Sequence, residues 1–260
     1  MLAILNIARL LQSIVCLCSA NFQNDFVTIL RQSGTLIHLC PSHVVKIFPS
    51  RVFEDIRSRG EKAYSILKDH NVPNVDRLHS WNRGKCQMVF EPRGWCKKPS
   101  TMNELFRALH DICKALIKVH AASWMHRDIR WGNVIFKRSD DATNSWCLID
   151  FMDAAESPQP KSNGQHLSCN NHAPEIFSQD THTTAVDIWS MGYLITSSGY
   201  ELSHIWKSGK DRTAFLNSIM HQTPAQRPSA SKAFQHLQKL EQEYLQETVQ
   251  AQEGDYINVG

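Results

Sequence analysis

The sequence predicts an α+β fold of two lobes: a small antiparallel sheet with one helix over residues 26–91, then a larger, mainly helical lobe over 92–250. In the first part, short apolar runs alternate with turn residues, which is typical of antiparallel strands. In the second part, apolar residues recur at spacings of three and four, which is typical of helices packed on a core. With 260 residues, of which 42% are hydrophobic, the chain can bury such a core.

The small lobe begins with three strand-like runs over residues 26–48, FVTIL, TLIHLC and HVVKIF, separated by turn residues such as Gly34. A helical stretch over about 51–70 follows and ends before Pro73. Two further runs, VDRLHSW and CQMVFE, complete the prediction of five antiparallel strands and one helix.

The larger lobe opens with a capping-box pattern, in which Thr101 precedes Glu104 at the start of a helix. The core-facing stripe of that helix consists of Leu105, Leu109, Ile112, Leu116 and Val119. A loop and two strands, VIF and WCLIDF, come next. Further helices are predicted over 182–197, 211–221 and 229–250, and residues 251–260 are predicted to be a loose tail.

Composition excludes several classes of function. The formal charge of +3 is small, and no Lys-Arg block is present, so nucleic acid is not an expected partner. Apart from Cys16 and Cys18, the eight cysteines are scattered, and no CxxC pair exists, which indicates free buried thiols in a reducing compartment rather than a zinc site. We expect an intracellular monomer, in the cytoplasm or the nucleus.

Within the N-terminal segment 1–25, the first 20 residues are apolar and end in small residues, as a signal segment does. However, the run lacks a charged start, and its leucines and isoleucines fit one helical face. We expect either an amphipathic helix packed on the domain or a cleaved signal, in which case the protein is a secreted effector. Polar residues interrupt the run too often to indicate a membrane span.

The motif with the clearest chemistry is HRDIRWGN, at residues 126–133. Transfer of a phosphoryl group needs a carboxylate beside the attacking hydroxyl and a metal ligand close by. Asp128 can supply the carboxylate, and Asn133 can turn its amide oxygen toward a metal. Asp150 ends an apolar strand, where an unpartnered carboxylate would be costly, so a Mg²⁺ ion is its expected partner. His126 and the two tryptophans Trp131 and Trp189 are expected to be packed in the core.

Three later motifs follow in order: His172-Ala173-Pro174-Glu175, the run DIWSMG that begins at Asp187, and Arg227-Pro228. Together with His126-Arg127-Asp128 (the HRD motif) and Asp150-Phe151 (the DF motif), they resemble the ordered signatures of the eukaryotic protein kinase superfamily over about residues 26–245. The resemblance implies a two-lobed protein kinase fold, ATP and Mg²⁺ as cofactors, and a protein substrate.

The resemblance also implies roles for residues of the small lobe. Lys46 matches the lysine that grips the α- and β-phosphates, and Glu61 matches its helix partner, with Glu54 as a weaker alternative. Glu91 matches the start of the hinge that binds adenine through backbone groups, after a gatekeeper at Phe90.

In the larger lobe, the resemblance implies that Asp128 is the catalytic carboxylate and that Arg130 contacts the transferred phosphate. Asn133 and Asp150 are the implied metal ligands. Three structural features are also implied: a buried ion pair between Glu175 and Arg227, support of the catalytic loop by Asp187, and a hydroxyl beside the substrate site from Ser168.

The sequence departs from the family pattern in three places. Only Gly34 stands where the family usually has three glycines, so nucleotide is expected to bind more weakly, or the loop to lie differently. Met152 replaces the glycine after Asp150-Phe151, which removes backbone freedom there. The segment RGWCKKPS leaves little room for a helix after the hinge. The string HRDIRWGN, the run IDFMDA at residues 149–154 and the weak glycine loop resemble Crinkler-type effector kinases and related fungal and oomycete kinases, which would imply a host-cell substrate.

The leading hypothesis is an active protein kinase, Ser/Thr-directed, although Arg130 occurs in both Ser/Thr and Tyr kinases. One alternative is a pseudokinase that binds nucleotide or a partner without turnover, because the glycine loop is degraded. Another is a small-molecule kinase of the aminoglycoside or choline type, which the stretch EKAYSILKDHNVP resembles.

A hypothesis on regulation concerns Arg127. The resemblance implies that this arginine lies under the segment 150–175 and can hold a phosphate there. Ser162 is the predicted site of activating phosphorylation, with Ser157 in the same segment. Alternatively, Arg127 bonds to the backbone or to a neighbour such as Asp153, and the segment is always ordered.

Overall fold

The computed structural model describes residues 27–138, 144–160, 169–178 and 181–257. The predicted N-terminal segment 1–25, and both Ser162 and Ser168, lie outside these residues. The chain divides into two compact units: the first holds the described residues up to Glu61 together with Asp76–Arg93, and the second holds Lys62–Val75 and the chain from Gly94 onward. The prediction instead placed one boundary after residue 91.

The first unit contains a five-stranded antiparallel sheet in the order β1-β2-β3-β5-β4. Its strands are β1 (Val27–Leu30), β2 (Leu36–Leu39), β3 (Val44–Ile47), β4 (Arg77–Asn82) and β5 (Gln87–Glu91). Each of the five predicted strands is therefore confirmed. β3 lies in the centre of the sheet, where Lys46 is opposite Ile37 on one side and Met88 on the other.

The helix α1 (Ser50–Asp69) follows β3, as predicted, and its first part belongs to the first unit. Phe53 on this helix is 1% exposed and packs against Phe48, with 6.4 Å between the ring centroids. Arg57, on the same stretch, is partly buried, and its guanidinium lies 4.6 Å from the ring centroid of Trp81. An apolar face and a charged face therefore orient this part of the helix within the first unit.

The second unit is built around α2 (Met102–Ala121). The backbone N–H of Glu104 donates to Thr101 Oγ1 at 3.1 Å, and Glu104 Oε2 accepts from the N–H of Ser100 at 2.8 Å. The capping box is therefore present, with the return bond reaching one residue further back than in the usual arrangement. The whole predicted stripe is at most 1% exposed: Leu105, Leu109, Ile112, Leu116 and Val119.

Short strands frame the loop that follows α2. They are β6 (Trp124–Met125), β7 (Val134–Lys137), β8 (Ser145–Leu148), β9 (Ala155–Glu156), β10 (Gln159–Pro160) and β11 (Thr181–His182). β7 pairs with β8, β6 with β9 and β10 with β11, all antiparallel. The segment 126–133 thus leaves one short strand pair and enters another, and both of its ends are fixed by backbone hydrogen bonds.

In the described part of the second unit, five further helices follow: α3 (Glu175–Ser178), α4 (Ala185–Thr196), α5 (Tyr200–Ser208), α6 (Lys210–Ile219) and α7 (Ala230–Ile257). Three of them match the predicted helices. Two were not predicted from the sequence: α3 is a single turn, and α5 is a short and largely polar stretch between Gly199 and Gly209. The predicted tail from residue 251 is wrong as far as Ile257, because α7 continues through good helix formers and tolerates the single Gly254.

Predicted core aromatic residues are found in the second unit. Trp131 is 7% exposed, and its Nε1–H donates to the carbonyl of Leu194 at 3.0 Å. Trp189 is partly buried and stacks on Tyr193, with ring centroids 6.4 Å apart. Residues 92–101 contain no helix, as the short segment after β5 predicted.

Among the described residues, six cysteines are free thiols, but only Cys113 and Cys147 are buried, so the predicted burial is wrong for the other four: Cys40, Cys86, Cys96 and Cys169. Cys16 and Cys18 lie outside the described part of the chain.

Within the described part of the chain, no group of three or more His, Cys, Asp or Glu side chains is placed to hold a metal ion. None of the helices in the described ranges combines the length and the apolar character that a membrane crossing needs.

The predicted ion pair between Glu175 and Arg227 is present and almost fully buried, with side chains 1% and 0% exposed. It is bidentate: Nη1 donates to Oε1 and Nη2 donates to Oε2 at 3.0 Å. Arg227 also donates to the carbonyls of Ala185 at 3.0 Å and His221 at 2.8 Å. The pair joins α3 to the start of α4 and to the chain before α7, so it anchors the segment that precedes α3.

We predict that Glu175→Ala lowers the free energy of unfolding by about 3–5 kcal/mol, because it leaves the Arg227 guanidinium buried without its counter-charge. The matched control is Asp55→Ala, which removes an exposed ion pair to Arg59 and should cost at most about 1 kcal/mol. Chemical denaturation measures both values. Equal costs for the two variants would contradict the prediction, as would additive effects of Glu175→Ala and Arg227→Ala.

Candidate active site

The backbone of the HRD motif is held by one carboxylate. Asp187, on α4 and fully buried, accepts from the N–H of His126 at 2.8 Å and from the N–H of Arg127 at 2.9 Å. His120 Nε2 lies 3.0 Å from the same carboxylate. Burial raises the pKa of Asp187, but the hydrogen bonds from His120 and the loop outweigh it, so the pKa is lowered. The predicted support of the catalytic loop is confirmed.

This support stabilises an unusual backbone conformation. Arg127 has φ of 72°, in the left-handed region that L-residues adopt at a cost. His126 is fully buried; its Nδ1 accepts from the N–H of Asp128 at 3.2 Å, and its Nε2 lies 3.1 Å from the carbonyl oxygen of Ile149. His126 is therefore a packed core histidine, as predicted.

Asp128 is 8% exposed, and three side chains donate to its carboxylate. Arg130 Nε donates to Oδ1 at 2.9 Å, Asn133 Nδ2 donates to Oδ2 at 2.7 Å, and His172 Nε2 lies 3.2 Å from Oδ1. Burial raises the pKa of Asp128, but the hydrogen bond from His172 and the charge of Arg130 outweigh it. The pKa therefore lies far below its usual range. Asp128 is thus a carboxylate of fixed orientation that remains ionised.

Asn133 connects Asp128 to the strand that leads to Asp150. Its Nδ2 also donates to the backbone oxygen of Asp128 at 2.9 Å, and its own backbone oxygen accepts from the N–H of Ile149 at 2.9 Å. Because the amide nitrogen makes both side-chain hydrogen bonds, the amide oxygen is the atom that a cation could use. The backbone bond to Ile149 places the chain just before Asp150 beside Asn133, and the charges of both Asp128 and Asp150 act on Arg130.

Asp150 begins a tight turn. It has φ of 71°, and a single turn of 3-10 helix, Phe151–Asp153, follows it. Phe151 is 1% exposed and packs edge-on against His126 at 4.5 Å and Tyr64 at 6.0 Å. The Phe151 ring thus fixes the turn in the core of the second unit, and Met152 is accommodated within it.

Arg130 folds back over Gly132. A Cβ atom added to Gly132 would lie 2.8 Å from Arg130 Nη1, closer than real Cβ contacts come. Burial lowers the pKa of Arg130, but the carboxylates of Asp128 and Asp150 outweigh it and the pKa is raised. Because this atom is the far end of a flexible side chain, a larger residue at 132 would move the Arg130 guanidinium rather than the backbone, and this effect could not be predicted from the sequence, since it depends on where the Arg130 side chain lies.

Within the first unit, Lys46 lies on β3 and is 8% exposed. Its Nζ is 5.1 Å from the ring centroid of Phe90 on β5. The predicted hinge starts at Glu91, the exposed last residue of β5. Two residues later, Arg93 donates its N–H to the carbonyl of Ser42 at 3.2 Å.

The turn between β1 and β2 explains Gly34 without a ligand. Gly34 has φ of +82°, and its N–H donates to the carbonyl of Arg31 at 3.0 Å. On α1, Arg57 forms ion pairs with both predicted candidates for the helix glutamate, Glu61 and Glu54. The nucleotide-binding roles of these residues stay predictions.

His172 was not among the predicted site residues, although it belongs to a motif that the sequence analysis identified. It is 4% exposed and contacts Asp128 across 44 residues of chain.

For Arg127, the structure shows the contact named above as the alternative to binding a phosphate, because its Nη1 lies 3.5 Å from the backbone oxygen of Asp153. Ser157 is described and donates its N–H to the carbonyl of Ser123 at 2.7 Å.

Comparison with known proteins agrees with this architecture. Residues 88–212 match the protein kinase domain family. The chain is 40% identical over 250 residues to Crinkler effector protein 8 of Phytophthora infestans, which is 96% of this chain and 40% of that protein.

Two further relatives are more distant. The chain is 24% identical over 228 residues to the mitogen-activated protein kinase spm1 of Cytospora mali, covering 80% of this chain and 50% of the relative. It is 32% identical over 88 residues to the human serine/threonine-protein kinase DCLK3, covering 33% and 13%. The chain thus spans half the length of these curated relatives or less.

The Crinkler relative confirms the predicted resemblance to that type. A sheet with one helix, a mainly helical second unit and the HRD, DF and APE motifs in order agree with the matched family. The chain has the two-lobed protein kinase fold, and it belongs to the protein kinase superfamily.

Proposed function

We propose that the chain is an active kinase that transfers the γ-phosphate of Mg-ATP to a serine or threonine hydroxyl of a protein. The observation that carries this proposal is the Asp128 carboxylate, ionised and held by Asn133 at 2.7 Å in a loop that Asp187 supports. A catalytic carboxylate must stand in one orientation to align a hydroxyl for in-line attack.

In the proposed reaction, the substrate hydroxyl donates a hydrogen bond to Asp128. The hydroxyl oxygen bonds to the γ-phosphorus while the bond from that phosphorus to the bridging oxygen breaks, and ADP leaves. Asp128 orients the hydroxyl and accepts its proton, which then passes to solvent. Arg130 is close to Asp128 and can donate to the phosphoryl oxygens.

The residues of the second unit suit a divalent cation. Asn133 offers its amide oxygen and Asp150 its carboxylate, and such oxygen ligands are those that Mg²⁺ prefers. We propose that these two side chains hold Mg²⁺, which when bound would offset the negative charge of the ATP phosphates.

In the first unit, we propose that Lys46 binds the α- and β-phosphates and that the backbone at Glu91 binds adenine. The central position of β3 supports the role of Lys46, because its backbone is fixed by strands on both sides. Glu61 is the proposed helix partner in the active state, which requires it to leave Arg57. Gly34 is the proposed point of closest approach of the β1–β2 turn to the phosphates.

Two details of the proposal, the type of acceptor residue and the place where the kinase acts, rest on similarity to relatives. The name of the human relative supports serine or threonine over tyrosine as the acceptor. The name of the Phytophthora infestans relative supports an effector, so we propose that this kinase acts on proteins inside a cell.

A second candidate function is nucleotide binding without turnover. The Gly34 N–H is engaged by Arg31, so the single glycine of this turn does not present a free amide to phosphate. A chain that binds ATP but transfers no phosphate to itself or to a generic protein substrate would favour this candidate.

We predict that Asp128→Asn and Asp150→Ala each abolish Mg²⁺-dependent phosphorylation, because the first removes the hydroxyl acceptor and the second a metal ligand. Transfer from labelled ATP by the purified chain is the measurement, with melting curves to verify folding. Asp69→Asn, an exposed change on α1, is the control and should keep full activity. Activity of either site variant within about threefold of the unmodified chain would contradict the assignment.

We predict that Lys46→Met lowers turnover by about a hundredfold, because it removes the cation that contacts the phosphates. Its free energy of unfolding should change by less than about 1.5 kcal/mol, since the methylene stem is retained. Lys85→Met, in the exposed turn before β5, is the control. A large loss of stability with unchanged ATP affinity would show that Lys46 is structural.

We predict that Gly132→Ala lowers turnover by about tenfold while the free energy of unfolding changes by about 1 kcal/mol or less. The new methyl group displaces the Arg130 guanidinium from its place beside Asp128. In the control Gly84→Ala, the new atom meets only Asn82 Oδ1 at 3.5 Å, an ordinary contact. If both variants are equally active, the position of Arg130 does not matter for the reaction.

A further inference from the structure

The contact between His172 and Oδ1 of Asp128 points to a role for His172. Among the described residues, two groups donate to this atom: Arg130 Nε at 2.9 Å and His172 Nε2 at 3.2 Å. The two donors differ in exposure, because the Arg130 side chain is 38% exposed and that of His172 is 4% exposed. A carboxylate accepts only, so Nε2 of His172 carries the hydrogen in this contact.

His172 is held in place independently of Asp128. Its ring packs edge-on against Phe177 of α3, with 6.4 Å between the ring centroids. The chain just beyond it is fixed as well, because the N–H of Ile176 donates to Ala173 O at 3.1 Å and Glu175 pairs with Arg227. The imidazole is therefore a buried donor on an anchored support.

We propose that His172 is a positioning residue that keeps Asp128 in its productive orientation when Arg130 turns toward the phosphoryl group. This inference rests on the proposed kinase function. During transfer, Arg130 is drawn to the phosphate oxygens, and Oδ1 of Asp128 then loses one of its two donors. Asn133 holds only Oδ2, so without His172 the carboxylate could rotate about its Cβ–Cγ bond and lose the alignment with the hydroxyl.

The test compares two substitutions that differ in hydrogen bonding. His172→Phe keeps a ring against Phe177 but removes the donor, and His172→Gln keeps an amide N–H near the position of Nε2. We expect His172→Phe to lower kcat by about tenfold with KM for ATP within about twofold, and His172→Gln to recover most of the loss. His204→Phe, at an exposed histidine on α5, is the control and should change neither constant.

Each outcome decides the inference. Equal kcat for the unmodified chain and His172→Phe overturns it and leaves the kinase function intact. A Gln variant as impaired as the Phe variant overturns it too, because ring shape would then be what matters. If the unmodified chain transfers no phosphate, the inference and the proposed function fall together.

A second pair of variants tests the inference if His172→Phe does not fold. His172→Gln and His172→Asn are both small and polar, but only the longer amide reaches Asp128 from the His172 backbone. The inference requires the Gln variant to have the higher kcat, with equal KM for ATP. Equal kcat values for the two overturn it.

Discussion

The second unit depends on a single buried carboxylate, that of Asp187, which accepts from the N–H groups of His126 and Arg127. Two successive N–H groups can point at one acceptor only if the backbone turns sharply, and the left-handed Arg127 provides this turn. The turn sends the chain back so that Asp128 and Asn133 meet. A charged group that would be unfavourable alone in the core becomes favourable here, because it satisfies backbone donors that would otherwise be buried without acceptors.

Around this point, the structure relies on fixed polar contacts rather than on a large apolar pocket. Asn133 bonds to both the side chain and the backbone of Asp128, and its carbonyl holds the residue before Asp150. Phe151 and His126 pack beneath the cluster, and the Glu175–Arg227 pair anchors the chain that carries His172. Hydrogen bonds among these buried polar groups hold them in a single arrangement, which is what alignment of two reactants requires.

Sequence patterns that repeat within a few residues predicted much of the fold. The features that were not predicted depend on short elements or on contacts between residues far apart in the chain. The strands and α2 were predictable because their patterns repeat within a few residues, from the Thr101 cap to the stripe that ends at Val119. α5 was not, because its two buried anchors, Leu202 and Trp206, lie one turn apart and give too short a pattern. At the site, Asp128, Asn133 and Asp150 were predicted from motif spacing. The His172 contact spans 44 residues, and no local pattern encodes it.

The lowered pKa of Asp187 also links the loop to protons in solution. A carboxyl group whose pKa is lower in the folded chain than in the unfolded chain contributes stability above its ordinary pKa of about 4. That contribution is lost as the pH falls through the folded value, since the unfolded chain then binds the proton more readily. Asp128, whose pKa is lowered as well, adds to the same dependence. Acid therefore weakens the fold through the same two carboxylates that shape the loop, and stability and geometry of the site are lost together.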